Sequence, residues 1–169
     1  QLHFVVNEIG NCGCGTFWIN GGNGINISSN TDTMSRGNFI GFHLTQDLTN
    51  VIIDGNVFTP KVAEGGKLVT DEASFLKVNG KSDGVNTYYV GNMIVSNNSG
   101  NILAGYFTRI YNTRIAQLNI VDNVSDVTSF RGFWGDVDFY MIRINQNIEY
   151  IRQLKISGNS IRGRNVANG

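Results

Sequence analysis

The chain has 169 residues with 13 basic and 13 acidic side chains, so its formal net charge is zero, and charged residues make up only 15% of it. That balance carries no basic footprint for a nucleic acid, and no apolar run is long enough for a transmembrane helix, so neither partner nor membrane insertion is expected. The length suits one domain, and 23 asparagines and 21 glycines beside a single proline, Pro60, describe a β-rich chain with many turns.

Residues 1–37 read as an irregular N-terminal segment or cap. Cys12-Gly-Cys-Gly15 and Asn20-Gly-Gly-Asn-Gly24 are turn signals, with short strands at His3–Val6, Thr16–Ile19 and Gly24–Ser28. From residue 38 to 169 the pattern is regular. A first strand lies at Phe39–Leu44, Phe75–Val78, Tyr106–Ile110 and Phe139–Ile144. A second follows each, and three of these read alike: Leu48-Thr-Asn-Val51-Ile-Ile53-Asp-Gly-Asn56, Ile115-Ala-Gln-Leu118-Asn-Ile120-Val-Asp-Asn123 and Ile151-Arg-Gln-Leu154-Lys-Ile156-Ser-Gly-Asn159. A weaker copy is Gly84-Val-Asn-Thr87-Tyr-Tyr89-Val-Gly-Asn92. The closing asparagines are 36, 31 and 36 residues apart. No segment holds a helical period over ten or more residues.

Period two puts Val51, Ile53, Leu118, Ile120, Leu154 and Ile156 on one face. Ile52, Asp54, Tyr88, Val90, Asn119, Val121, Lys155 and Ser157 fall on the other. Repeated strand units without helices fit a parallel β-helix, whose coils stack equivalent residues into continuous inner rows. A β-sandwich with accidental periodicity is the competing architecture. The expected fold is therefore all-β, a right-handed parallel β-helix of about four coils. Asn56, Asn92, Asn123 and Asn159 would form one structural ladder, bonding amide to amide along the axis. Such a short stack exposes strand edges, and the chain has no initiating methionine, so a piece of a longer protein is expected. Outward Ile52, Val90 and Val121 imply lateral association as a homotrimer.

The endings Ile53-Asp-Gly-Asn56-Val57, Ile120-Val-Asp-Asn123-Val124 and Ile156-Ser-Gly-Asn159-Ser-Ile161 resemble those of right-handed parallel β-helices of the pectate-lyase-like superfamily. With abundant Asn and Gly and outward aromatics, residues 38–163 are most similar to bacteriophage tailspike proteins. The resemblance implies a homotrimer on the virion tail, outside the cell, that binds a bacterial surface polysaccharide and often cleaves it as a glycoside hydrolase or lyase. Of the polygalacturonase-like signature only Asn30-Thr-Asp32 is present. The alternative is a non-catalytic, trimerising β-helical shaft of a viral fibre.

Phe130-Arg131-Gly-Phe-Trp134-Gly-Asp136-Val-Asp138-Phe-Tyr140 is the stretch best suited to chemistry. In extended chain Asp136 and Asp138 share a face about 6–7 Å apart, near the carboxylate separations that glycoside hydrolysis uses. Trp134 and Tyr140 would stack on sugar rings, and Arg131 would pair with an acidic sugar. Asp54, with Glu64, Asp71 and Glu72 downstream, forms a second candidate for substrate binding. No cofactor is expected. His3, His43, Cys12 and Cys14 lack zinc-ligand spacing, so no metal site is assigned.

Overall fold

The computed structural model describes residues 1–5, 7–10, 15–33, 38–59, 74–81, 83–102, 106–128, 140–144 and 147–164. These form strands and turns with no helix among the described residues. The chain visits three parallel sheets in turn. Sheet A takes β1 (Leu2–Val5), β4 (Gly22–Ser28), β7 (Leu48–Asp54), β10 (Tyr89–Ser96), β13 (Arg114–Val121) and β16 (Tyr150–Ser157). Sheet B takes β2 (Glu8–Gly10), β5 (Thr31–Thr33), β8 (Val57–Thr59), β11 (Ser99–Ile102), β14 (Val124–Thr128) and β17 (Ser160–Arg164). Sheet C takes β3 (Gly15–Ile19), β6 (Asn38–His43), β9 (Leu76–Asn79), β12 (Tyr106–Tyr111) and β15 (Tyr140–Ile144). Each A–B–C circuit is one coil of a parallel β-helix. Sheets of six, six and five strands give five complete coils and two strands of a sixth.

The segment 1–37, expected to be irregular, carries β1–β5 and supplies the first coil and most of the second. Its strands pair in parallel register with the coils that follow, for instance Ile25 with Val51 and Trp18 with Gly41. The segment departs from the later copies at Gly22, which stands where they carry an aliphatic residue such as Leu48.

Sheet A shows how the sequence sets the coil. The column Gly22, Leu48, Val90, Ile115 and Ile151 is joined by the columns through Val51 and Ile53, all turned toward the core. Leu48 and Val51 both point inward although they are three residues apart. A bend at the two residues between them makes this possible, and the same three-residue step stays in register in β4, β10, β13 and β16. Asn50 makes the turn at φ 52°. Val90 therefore faces inward and is fully buried, not outward as simple alternation predicts.

At the A-to-B corner a residue in the left-handed region precedes an asparagine in five successive coils: Ser29, Gly55, Asn97, Asp122 and Gly158, at φ 53° to 66°. Gly, Asn and Asp bear this conformation at least cost, which accounts for the Gly/Asp–Asn endings. The asparagines that follow are Asn30, Asn56, Asn98, Asn123 and Asn159, with Asn7 one coil earlier. From Asn7 to Asn123, each donates from its backbone N–H and its Nδ2 to the Oδ1 of the next, at 3.0–3.1 Å and 2.7–2.9 Å.

Asn56, Asn123 and Asn159 thus stand in the ladder, and Asn92 does not. It is exposed on the outer face of sheet A, in register with Gln117. The rung of its coil is Asn98. Rung spacings of 23, 26, 42, 25 and 36 residues show that coil length varies, while the corner does not.

A second amide row, unforeseen from the sequence, runs along the C-to-A corner. Asn147 donates to Asn112 and Asn112 to Asn79, at 3.1 and 3.2 Å. Between the corners the core holds Phe17, Phe39, Phe58, Phe75 and Phe107 among aliphatic side chains.

Candidate functional site

Alternation along sheet C turns one residue of each strand outward between two that face the core. In register these are Trp18, Gly41, Lys77, Arg109 and Arg143. Neighbouring strands lie about 4.8 Å apart, so three cations sit one above another on a single face. Like charges placed directly opposite repel. Aromatic rings flank them and offset part of this repulsion. The Arg109 guanidinium lies 5.1 Å from the Tyr106 ring and 4.7 Å from Tyr111. That of Arg143 lies 5.1 Å from both Tyr106 and Tyr140. Tyr106 and Tyr140 stack at 5.7 Å between centroids, and Arg143 Nη1 donates to the Tyr106 hydroxyl.

At the N-terminal end of the same face Trp18 is 60% exposed and lies flat on His43, with centroids 3.7 Å and planes 5° apart. Gly41 makes room for this pair, since a Cβ there would sit 3.3 Å from the His43 ring and 3.6 Å from Trp18. The face therefore offers a bare indole at one end and interleaved phenols and guanidinium groups at the other. Aromatic rings stack on the apolar faces of sugars, and arginine grips carboxylates or phosphates with two parallel bonds.

Of the residues expected from the sequence to form the site, two lie among the described residues, and on different faces. Tyr140 belongs to this face and is exposed. Arg131, Trp134, Asp136 and Asp138 lie outside the described residues, as do Glu64, Asp71 and Glu72. Asp54 sits on a different face, outside sheet A, where it accepts hydrogen bonds from Ser96 Oγ at 2.6 Å and Asn97 Nδ2 at 2.9 Å. Those bonds tie coil to coil, which is a structural role. Asn30 and Asp32 are fully buried. Asn30 is a rung of the ladder, and Asp32 faces inward between Ile9 and Phe58 and accepts from the Thr16 hydroxyl.

Sheet A has a second surface feature. Ile52 and Ile94 are exposed side by side, and with Asn50, Asn92 and Gln117 they line a shallow groove of about 250 Å³. Asn92 Nδ2 reaches Asn50 Oδ1 at 3.4 Å, and Asn50 Nδ2 reaches Asn23 Oδ1 at 2.8 Å.

Two perturbed titrating groups among the described residues lie elsewhere and are structural. In the loop before β10, Asp83 accepts from the Tyr88 hydroxyl at 2.6 Å and from the N–H groups of Val85 and Asn86 at 2.9 Å. These bonds, that of Tyr88 foremost, hold the carboxyl well below its usual range, and the same bond raises the Tyr88 phenol. Among the described residues no group of three or more His, Cys, Asp or Glu is placed to hold a metal ion.

No family model, curated protein or solved structure matches the chain.

Proposed function

We propose that this chain is a section of a phage tailspike-like β-helix, carried on the virion tail outside the cell, and that it binds a bacterial surface polysaccharide along the outer face of sheet C. The observation that supports this reading is the column of Tyr106, Arg109, Tyr140 and Arg143 beside the exposed Trp18–His43 stack. A rigid solenoid holds these groups at a fixed repeat, so an extended polymer meets them without ordering a loop. Cleavage by the Asp136–Asp138 pair belongs to the same proposal, because both precede Tyr140 closely in the chain.

The test is calorimetric titration with capsular and O-antigen polysaccharides. The double variant Tyr106→Ala/Arg143→Ala, folded by circular dichroism, is expected to bind at least about tenfold more weakly, equivalent to about 1.4 kcal/mol. Unchanged affinity in that variant would overturn the assignment of the face. Oligosaccharide release that survives both Asp136→Asn and Asp138→Asn would remove those residues from the chemistry.

A second reading, a trimerising shaft, is favoured by the exposed pair Ile52 and Ile94 on the outer face of sheet A. Buried around a three-fold axis, these side chains would leave water together with their amide rim. Light scattering is expected to show a closed three-chain particle that Ile94→Lys dissociates. A wild-type particle without a three-chain plateau would exclude this reading.

A further inference from the structure

The chain as a whole is neutral, with 13 basic and 13 acidic residues, so a face of one sign has to be assembled locally. Sheet C is such a face. Its strands β3, β6, β9, β12 and β15 carry Lys77, Arg109 and Arg143 and no Asp or Glu. The other two sheets mix signs. The strands of sheet A hold Asp54 beside Arg114, Arg152 and Lys155. Those of sheet B hold Glu8, Asp32 and Asp126 beside Arg162 and Arg164.

The three cations of sheet C are consecutive in register, Lys77 with Arg109 and Arg109 with Arg143. At about 4.8 Å per strand the outer two are about 10 Å apart, within a Debye length at moderate salt. Set opposite one another, they cost the sheet stability. A polymer with repeated negative charge removes that cost. The Tyr106, Tyr111 and Tyr140 rings lie 4.7–5.1 Å from the guanidinium carbons of Arg109 and Arg143. Side chains held by their flat faces in this way lose less freedom when their N–H edges grip an anion. Beyond Lys77 the column continues without charge, through Gly41 to Trp18. The exposed indole is two strands, about 10 Å, from Lys77. A chain lying across the strands therefore meets a stacking surface at one end and positive charge at the other.

We infer, taking sheet C as the polysaccharide face proposed above, that the polymer it takes is acidic. Carboxylate or phosphate groups along the chain are held by Lys77, Arg109 and Arg143, and an uncharged sugar of the same chain stacks on Trp18. The polymer runs along the helix axis, because the cations and the indole are set out in that direction.

Calorimetric titration against three groups of capsular polysaccharide tests this: uronate-bearing, phosphodiester-linked and neutral. Binding is expected in one of the first two groups and not in the third. Affinity is expected to fall roughly tenfold between about 0.05 M and about 0.5 M sodium chloride, as the Debye length contracts from beyond 10 Å to about the strand spacing. If the bound polymer carries uronates, reducing their carboxyl groups to alcohols keeps the sugars and removes the charge, and is expected to weaken binding at least about tenfold, as 1.4 kcal/mol would. A phosphodiester-linked polymer that binds assigns the anion as phosphate. Lys77→Gln is expected to bind about fivefold more weakly at the lower salt and to match the wild type at the higher. Trp18→Ala is expected to weaken binding by one factor at both salts, since stacking is not screened. Both side chains point out of the core, so each variant keeps the wild-type circular dichroism. A neutral polysaccharide that binds, ignores salt and is weakened by Tyr106→Ala/Arg143→Ala would overturn the inference and leave the binding face standing. Carboxyl reduction without effect on a uronate polymer, a Lys77→Gln loss that is absent or equal at both salts, or duplex DNA bound as tightly as the glycan would overturn it too. Absence of binding in all three groups would overturn the face and the inference together.

Discussion

Replacing Asn98 with alanine is expected to lower stability by about 3 kcal/mol, whereas the same change at Asn92 is expected to cost under about 0.5 kcal/mol. The Asn98 side chain is 1% exposed and makes four hydrogen bonds. Its Oδ1 accepts from Asn56 N at 3.0 Å and Asn56 Nδ2 at 2.9 Å, and its Nδ2 donates to Asn123 Oδ1 at 2.9 Å and Ile53 O at 3.0 Å. Alanine removes these partners and leaves two donors on Asn56 buried without an acceptor. An orphaned buried group costs about 1–3 kcal/mol, more than an ordinary hydrogen bond contributes. At this chain length the loss corresponds to a drop of about 10 °C in melting temperature. Asn92 is exposed and has one long bond, 3.4 Å to Asn50, which water replaces. Urea melts of both variants decide the matter. Equal losses would mean that the ladder is not the element that joins the coils.

The contrast between Asn98 and Asn92 shows how far the sequence could be read. The pattern of apolar positions at zero, three and five with asparagine at eight is visible in three copies, and it encodes the kink and the left-handed corner as well as the strand. Applied at Val90, it reads Val90, Met93, Val95 and Asn98, the true fourth copy. The copy that starts at Gly84 has a nearly constant period but ends at Asn92, which is outside the ladder. At Gly22 it reads Gly22, Ile25, Ile27 and Asn30, one coil earlier. Regular spacing was the weaker guide, because loop length between strands varies freely on a surface while the hydrogen-bonded corner does not.

The candidate face was legible in part. Tyr106-Phe-Thr-Arg109-Ile and Tyr140-Met-Ile-Arg143-Ile share one pattern, 34 residues apart. Alternation alone would put Tyr and Arg on opposite faces, and both turn outward because the two residues between them, Phe107 and Thr108 in β12, are buried together. Trp18, His43 and Lys77 had no local signal. Only the stacking of coils brings them to this face, since Trp18 and Lys77 are 59 residues apart in sequence. Asp54 shows the opposite effect of stacking. An outward carboxylate looks available in a single strand, yet the next coil brings Ser96 and Asn97 to it.

Phe75→Ala is expected to destabilise the chain by about 4 kcal/mol, in the middle of the range for buried aromatic truncations. The ring is fully buried and enclosed by other rings. Phe107 lies parallel to it at 4.5 Å and 9°, Phe39 at 5.4 Å and Phe58 at 6.4 Å. Phe58 and Phe107 already crowd Gly100, where a Cβ would meet them at 3.4 and 3.3 Å. Stiff rings held by strands on three sides cannot close into the void, so the cavity cost adds to the lost transfer energy. Phe75→Leu refills most of the space and is expected to recover more than half of the loss. Because Phe75 points into the core and Lys77 out of it, polysaccharide affinity measured below the melting temperature should match that of the wild type. A loss below about 1 kcal/mol would mean that the ring column is slack. A fall in affinity with the fold intact would mean that the outer face of sheet C is held in place by the packing behind it.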